Sequence, residues 1–433
     1  MFNFNNEFQS NTKGSVFNKN KPYTQGNPHL NIKYTNLHHH DQYQSQFPNV
    51  LVDSNSTLHN ALDSFLNAER VFIAFEFQKE SSYNDKLATM QIASGSKYFV
   101  IDMMSGEIDD DAIKNFIMYD KIQKVVYNAE KFLSAVYQRY RQIPKNIFDI
   151  TTAGMLCGID KKFQYRQMLI KVLGKNYKIK DPIKVSFKTR PLIPRAIDRS
   201  ILNAIHLEDL YTFIHKEITT FNRLHIHDEI VGEMLNEELY TKNIEDAWTK
   251  VKFYTTKLDV IRRIKKIAEW REYTAKRLNI HKDILMTDST LLDVSERNPT
   301  CYEELCEIKN LNKAILKPNH SKRLLSCITA AQKIILEKTD IESHVDELSS
   351  KYIPLADMFK ILLRIKAEQY KISPQLIANN HELAIIANSS SPKVKCVEGW
   401  RYEIFGKDAL DIKKGKLMVV YENENFSIIP KDF

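Results

Sequence analysis

The spacing of apolar residues changes once along this chain, near residue 220, and that change limits the folds open to it. Before it, VFIAFEF (71–77), ATMQIAS (88–94), KYFVIDM (97–103) and KVVYN (124–128) are short β-rich runs. Between and around them, LHNALDSFLNA (58–68), AIKNFIMYD (112–120) and FLSAVYQRY (132–140) carry apolar residues at helical spacing. Short continuous apolar runs mark strands buried on both faces, whereas a recurrence every three or four residues marks an amphipathic helix. Gly95, between the second and third runs, signals a hairpin. Antiparallel strands followed by alternating strands and helices predict a mixed sheet covered by helices, an α/β domain over 51–220. After Ile218 strand texture vanishes until LMVVYENENFSII (417–429), and nearly everything between reads as amphipathic helix.

Length agrees with this division, because 433 residues exceed one ordinary domain. Residues 1–50 are rich in Asn, Gln, Lys and His without apolar period, which predicts a disordered arm in which His38, His39 and His40 form part of a solvated tract. No stretch has the run of about 20 apolar residues that crosses a bilayer. Cys157, Cys301, Cys306, Cys327 and Cys396 are an odd set without a C-x-x-C pair, so they read as reduced thiols. A basic segment followed by an apolar one is missing from the first residues, and an intracellular site is expected, cytoplasmic in the first place and mitochondrial as the minor alternative. The net charge of +8 suits a phosphate-rich partner and equally suits a compositional bias toward Lys.

In the helical half, IRRIKKIAEWREYTAKRL (261–278) places Ile261, Ile264, Ile267, Ala268, Trp270 and Ala275 mainly on one stripe, with Arg262, Arg263, Lys265 and Lys266 elsewhere. Two shorter helices follow, one opening at Thr287 or Asp288 and one after Pro299 and Thr300. They define a helical domain over 240–340, and the segments 345–370, 373–388 and 398–406 a second over 341–433.

The order helix, VFIAFEF, MQIASGSKYFVID, KVVYNAEKFL, FDITTAGML, RPL and NAIHLEDLY resembles the DEDD family of 3′-to-5′ exonucleases, closest to ribonuclease D. Downstream, Trp270, Arg271 and Ala275 stand where the helical domain shared by RecQ-type helicases and ribonuclease D, the HRDC domain, has a W-R pair and an Ala. The block from Ser373 to Gly406 resembles the second, divergent HRDC-like domain of that family. The resemblance implies a ribonuclease H-like mixed sheet followed by two all-α domains. It also implies four carboxylates that hold two divalent metals for in-line attack on a phosphodiester.

At those positions this chain departs from the pattern. The Asp-x-Glu motif is Ala74-Phe75-Glu76, the carboxylate of the second motif is Phe132, and Tyr-x-x-x-Asp is Asn203 through Leu207. Hard divalent cations require oxygen donors, so apolar replacements alter the chemistry. Glu130, Glu208 and Asp209 lie close in sequence, but shifts of one or two residues rotate a helical side chain by about 100° or 200°. Asp149 matches a family Asp that caps a helix and is not a ligand.

The expectation is a catalytically degenerate ribonuclease D-like protein that binds RNA, tRNA-like or within a ribonucleoprotein, through Arg190, Arg262, Arg263, Lys265 and Lys266. No cofactor is expected. Two alternatives stand beside it: an active 3′-to-5′ exoribonuclease using Mg or Mn through displaced carboxylates, and a protein-interaction module in which neither metal nor nucleic acid matters.

Overall fold

The computed structural model describes residues 50–78, 83, 86–160, 164–174, 186–241, 243–253, 255, 257–336 and 350–431. The expected N-terminal arm, with His38–His40, lies outside the described residues apart from Val50. The chain divides into two compact units, one of Met1–Gln78, Leu87–Tyr240 and Ser350–Phe433, the other of Lys79–Lys86 and Thr241–Ser349.

The first unit is built on a six-stranded mixed sheet of order β1-β4-β3-β2-β5-β6. Its strands are β1 (Leu51–Val52), β2 (Arg70–Gln78), β3 (Lys86–Ser94), β4 (Lys97–Asp102), β5 (Gln123–Val126) and β6 (Ile147–Asp149). β3 and β4 form the hairpin expected at Gly95, which has φ +59. The pairs β2–β5, β5–β6 and β1–β4 are parallel.

Strand alternation assigns the residues of β2 to two faces. Val71 and Ile73 enter a core shared with α1 (Asn55–Asp63), α2 (Asp110–Met118) and α3 (Ala129–Tyr140), through Leu58, Leu62, Ile113, Phe116, Phe132 and Leu133. Arg70 and Phe72 face the other way. Their neighbour there is the Tyr211 ring, 5.1 Å from the Arg70 guanidinium and 5.7 Å from the Phe72 ring. Tyr211 belongs to a 27-residue helix that starts with Pro194 at its first turn. Two short helices precede it, α4 (Ile150–Leu156) and α5 (Tyr165–Leu173); the long helix itself is α6 (Pro194–Thr220), and α7 (Leu224–Met234) follows.

Residues 350–433, read from the sequence as a further helical domain, share this compact unit with the sheet. Arg223 shows why. Its side chain is buried, and its guanidinium donates to the carbonyls of Leu156, Tyr370 and Lys371. Leu156 ends α4, and Tyr370 ends a helix over Ile353–Tyr370. Carbonyls at a helix C-terminus lack intrahelical donors and carry partial negative charge, so one cation satisfies two helix ends. The Ser373 amide donates to Met155 O at 2.8 Å in the same seam. Gly158, at φ +82, comes so close to Lys371 that an added Cβ would lie 3.3 Å from its carbonyl oxygen.

The second unit is helical. α8 (Leu258–Leu278) packs on α10 (Asp288–Arg297) and α12 (Pro318–Ala331), with α9 (Lys282–Leu285) and α11 (Tyr302–Cys306) between them in sequence. Ile261, Ile264, Ile267, Ala268, Trp270 and Ala275 form its core stripe, as their spacing predicts. Arg271 is fully buried, and it donates to Met286 O at 3.0 Å and to Asp288 Oδ1 at 2.7 Å. Thr287 is the N-cap of α10, its hydroxyl accepting from the Thr290 amide at 3.2 Å.

In an Arg223→Ala variant the helix-end carbonyls lose a charged donor that water cannot replace in a buried seam. Denaturant unfolding is expected to show a loss of about 3–5 kcal/mol, with hydrogen exchange rising first in Ile353–Tyr370. A variant with unchanged stability and exchange would show that other contacts hold the seam.

Candidate active site and nucleic-acid interface

Continuing the alternation past Arg70 and Phe72 puts Ala74 and Glu76 on the α6 side of β2. There the Asn203 amide Nδ2 donates to Glu76 Oε1 at 3.0 Å. Leu207 lies one turn further along α6 and is fully buried. Burial raises the Glu76 pKa, and two opposing effects lower it: the positive charge of Arg199 and the Asn203 hydrogen bond. Arg199 is one turn before Asn203 on α6.

Phe132 is placed differently. Its ring stacks on Phe75 with centroids 5.2 Å apart and planes 13° apart. Phe75 alternates to the opposite face of β2 from Glu76, so Phe132 belongs to the α1–α3 core. Of the five positions picked out in sequence, the structure joins Glu76 to Asn203, sets Ala74 on the same face, buries Leu207 one turn away and turns Phe132 into the core. Tyr165 is an addition that sequence reasoning missed. Its hydroxyl donates to Asn203 O, and its ring meets Tyr127 edge-on at 4.9 Å.

The neighbouring carboxylates point elsewhere. Glu208 accepts from the Gly95 backbone and lies near Arg70. Arg70 is six residues from Glu76 on an extended strand, about 20 Å away at roughly 3.3 Å per residue. Glu130 is exposed and within electrostatic reach of Tyr240. Asp149 is fully occupied as a cap. It accepts from the Thr151 and Thr152 amides and the Thr152 hydroxyl at the start of α4, and from the Asn128 and Ala129 amides at the start of α3. Among the described residues no group of three or more His, Cys, Asp or Glu side chains is arranged to hold a metal ion.

The cations assigned to RNA from sequence have local partners. Arg190 grips the buried Asp102 with two bonds, at 2.6 Å and 2.5 Å, and donates to Phe187 O at 2.8 Å. Arg262 pairs with Asp259 at 2.7 Å, Arg263 donates to Ser295 O at 2.6 Å, Lys265 sits 5.1 Å above the Trp248 ring, and Lys266 pairs with Glu269 at 2.7 Å. The face that carries Arg262, Arg263, Lys265 and Lys266 is therefore half-buried, with each cation beside a local partner. Asp259 and Glu269, each three residues from its cation, account for part of this.

A different cationic cluster forms between helix ends. The His320 pKa is lowered first by burial and then by the charges of Arg277, Arg323 and Lys317. Arg277 lies in the last turn of α8, Lys317 is the N-cap of α12 and Arg323 is exposed on α12. The positive end of the 14-residue α12 adds to the same field. In sequence these residues are spread from 277 to 323 and show no run of charge, so only folding reveals them.

With this geometry in hand, known proteins supply the comparison. A family model described as a 3′-5′ exonuclease matches residues 49–219, and a model of the HRDC domain matches residues 261–328. The mixed sheet with its helices and the separate helical unit thus define a protein with a 3′-5′ exonuclease domain and an HRDC domain. The ribonuclease D of Bartonella henselae is 28% identical over 369 residues, 85% of this chain and 90% of its own length. That of Granulibacter bethesdensis is 25% identical over 90% of this chain and 98% of its own. The crystal structure of Escherichia coli ribonuclease D superimposes with a TM-score of 0.67 at 17% identity, covering 84% of this chain and 98% of the other. The chain belongs to the ribonuclease D family.

One neighbour of the site gives a pH prediction. Burial pushes His206, between Asn203 and Leu207 on α6, down to about 4 from 6.5. Its folded pKa is depressed, so stability is full above the unfolded value near 6.5 and declines as pH falls toward 4. His206→Leu is expected to remove that component from the pH dependence of the thermal midpoint. A His206 ring titrating near 6.5 by NMR would contradict the assignment.

Proposed function

We propose that this member of the ribonuclease D family binds RNA without hydrolysing it. The observation that carries the reading is the 3.0 Å bond from the Asn203 amide to Glu76. The one carboxylate that the resemblance retains spends an oxygen on an amide donor, with Ala74 and Leu207 beside it offering no further oxygen ligand. Such a donor set does not fit a pair of hard divalent ions, which need several oxygens around each metal. Phe132 supports the same conclusion by lying in the core on the far face of β2.

RNA is the favoured partner for two reasons. The Escherichia coli relative is described as an exoribonuclease involved in structured RNA processing. The cluster of Arg277, Lys317 and Arg323 at the start of α12 has the chemistry of a phosphate contact, and such contacts gain free energy by releasing counterions. A structured RNA such as a tRNA-like molecule, free or in a ribonucleoprotein, fits this mode because double-stranded RNA is recognised largely through shape and phosphates. An intracellular location accompanies that substrate class. No helix among the described residues is long and apolar enough to cross a membrane.

The test uses the full chain with a 5′-labelled structured RNA. Binding is expected to be unchanged by EDTA, and no 3′ shortening should appear in Mg²⁺ or Mn²⁺. Reversing Arg277, Lys317 and Arg323 to Glu should flatten the dependence of log K on log salt by about 2–3. Reversing Arg262 and Arg263 should instead cost stability. Progressive 3′ shortening that disappears in Glu76→Gln would overturn the proposal in favour of the active enzyme. RNA binding too weak to measure at low salt would favour a protein-interaction role.

A further inference from the structure

We propose that the C-terminal β-hairpin is a self-association surface, with its last strand pairing antiparallel against the same strand of a second copy of this chain. The hairpin consists of β7 (Leu417–Glu422) and β8 (Asn425–Pro430), a two-stranded sheet separate from the large one. Its pairs run in register from Leu417 with Pro430 to Glu422 with Asn425. The two turn residues, Asn423 and Glu424, both have positive φ, 51° and 61°. That combination gives a tight two-residue turn whose twist matches the strands.

Such a hairpin alone is marginal in water, and this one keeps little of its apolar surface covered. Met418, Tyr421, Phe426 and Ile429 are 37%, 61%, 51% and 40% exposed. Soluble proteins commonly guard an edge strand with charges, an internal proline or a bulge. β8 has none of these within Asn425–Ile429, and Pro430 stands only at its end. The helix over Lys407–Lys413 lies against β7, which leaves β8 as the more open edge.

The distribution of charge selects the occupant. Glu422 and Glu424 sit at the turn, whereas Lys414, Lys416 and Lys431 sit at the root, all exposed. A second copy paired antiparallel along β8 sets its acidic turn beside the basic root of the first, and the reverse holds across the two-fold axis. Parallel pairing would put like charges together. The surface is thus complementary to itself in one orientation, which is the requirement for an isologous dimer.

The full chain is therefore expected to show a concentration-dependent dimer by sedimentation up to about 0.1 mM, weakened by salt. Phe426→Lys with Ile429→Lys should weaken it about tenfold or more, with the thermal midpoint of the chain unchanged. A charge exchange isolates the orientation. Glu422→Lys with Glu424→Lys, and separately Lys414→Glu, Lys416→Glu and Lys431→Glu, should each dissociate alone, and a one-to-one mixture should recover the dimer. A chain that stays monomeric at the highest concentration in low salt overturns the proposal, as does a dimer indifferent to both charge sets. Capture of another protein's strand with no dimer at any concentration also overturns it.

Discussion

The seam between β2 and α6 is the constraint on which the candidate site depends. A strand presents alternate side chains to each face, and a helix laid along it presents a residue every three or four, so the two periods fix which groups meet. Tyr211 meets Phe72 and Arg70 at one end of the seam, and Asn203 meets Glu76 at the other. Because Tyr211 locks the register, Leu207 must lie inward, and Glu208 is carried round to Gly95. The same register that brings Asn203 to Glu76 thereby keeps the next carboxylates of α6 away from it. Slippage by one residue would break both aromatic contacts and expose Leu207, so the packing opposes any rearrangement that would bring Glu208 to the site.

Much of the fold was legible because apolar periodicity is strong where elements are buried. The run 71–77 reads as a central strand, Gly95 as a turn, and Ile261 through Ala275 as a helical stripe. β1 was not legible, since its two residues, Leu51 and Val52, follow an Asn-rich tract and gain their strand character from pairing with Val100 and Ile101. At the site, Ala74, Glu76, Asn203 and Leu207 were singled out by the resemblance to the family's motifs, and strand and helix periods give the faces on which they lie. The direction taken by Phe132 could not be read in this way, because it depends on Phe75 across the core. Nor could Arg199 or Tyr165 be identified, since neither belongs to a motif and both matter only through neighbours distant in sequence.

Charge was the least legible property, and the structure gives the reason. A net charge of +8 invites assignment of every cationic helix face to nucleic acid. Arg190 grips the buried Asp102, Arg223 donates to three backbone carbonyls, and Arg271 donates to Met286 O and to Asp288. A buried guanidinium is costly unless it is paired, so each of the three is fixed by the bonds it does make. Arg262, Arg263, Lys265 and Lys266 likewise have nearby partners. The exposed cations Arg277, Lys317 and Arg323 come near one another only where helix ends meet.

The apolar residues at the positions the resemblance marks also bear on how RNA would be met under the proposed function. A cluster of four carboxylates repels a phosphodiester unless metals neutralise it, because like charges a few ångströms apart in a partly buried site interact strongly. With Ala74 and Leu207 beside Glu76 and Phe132 turned into the core, that repulsion is reduced to the single carboxylate of Glu76. Glu76 is already desolvated, hydrogen-bonded to Asn203 and offset by the cation of Arg199. Under the proposed function, a phosphodiester approaching this face would meet one carboxylate already offset by Arg199 in place of a metal-dependent cluster.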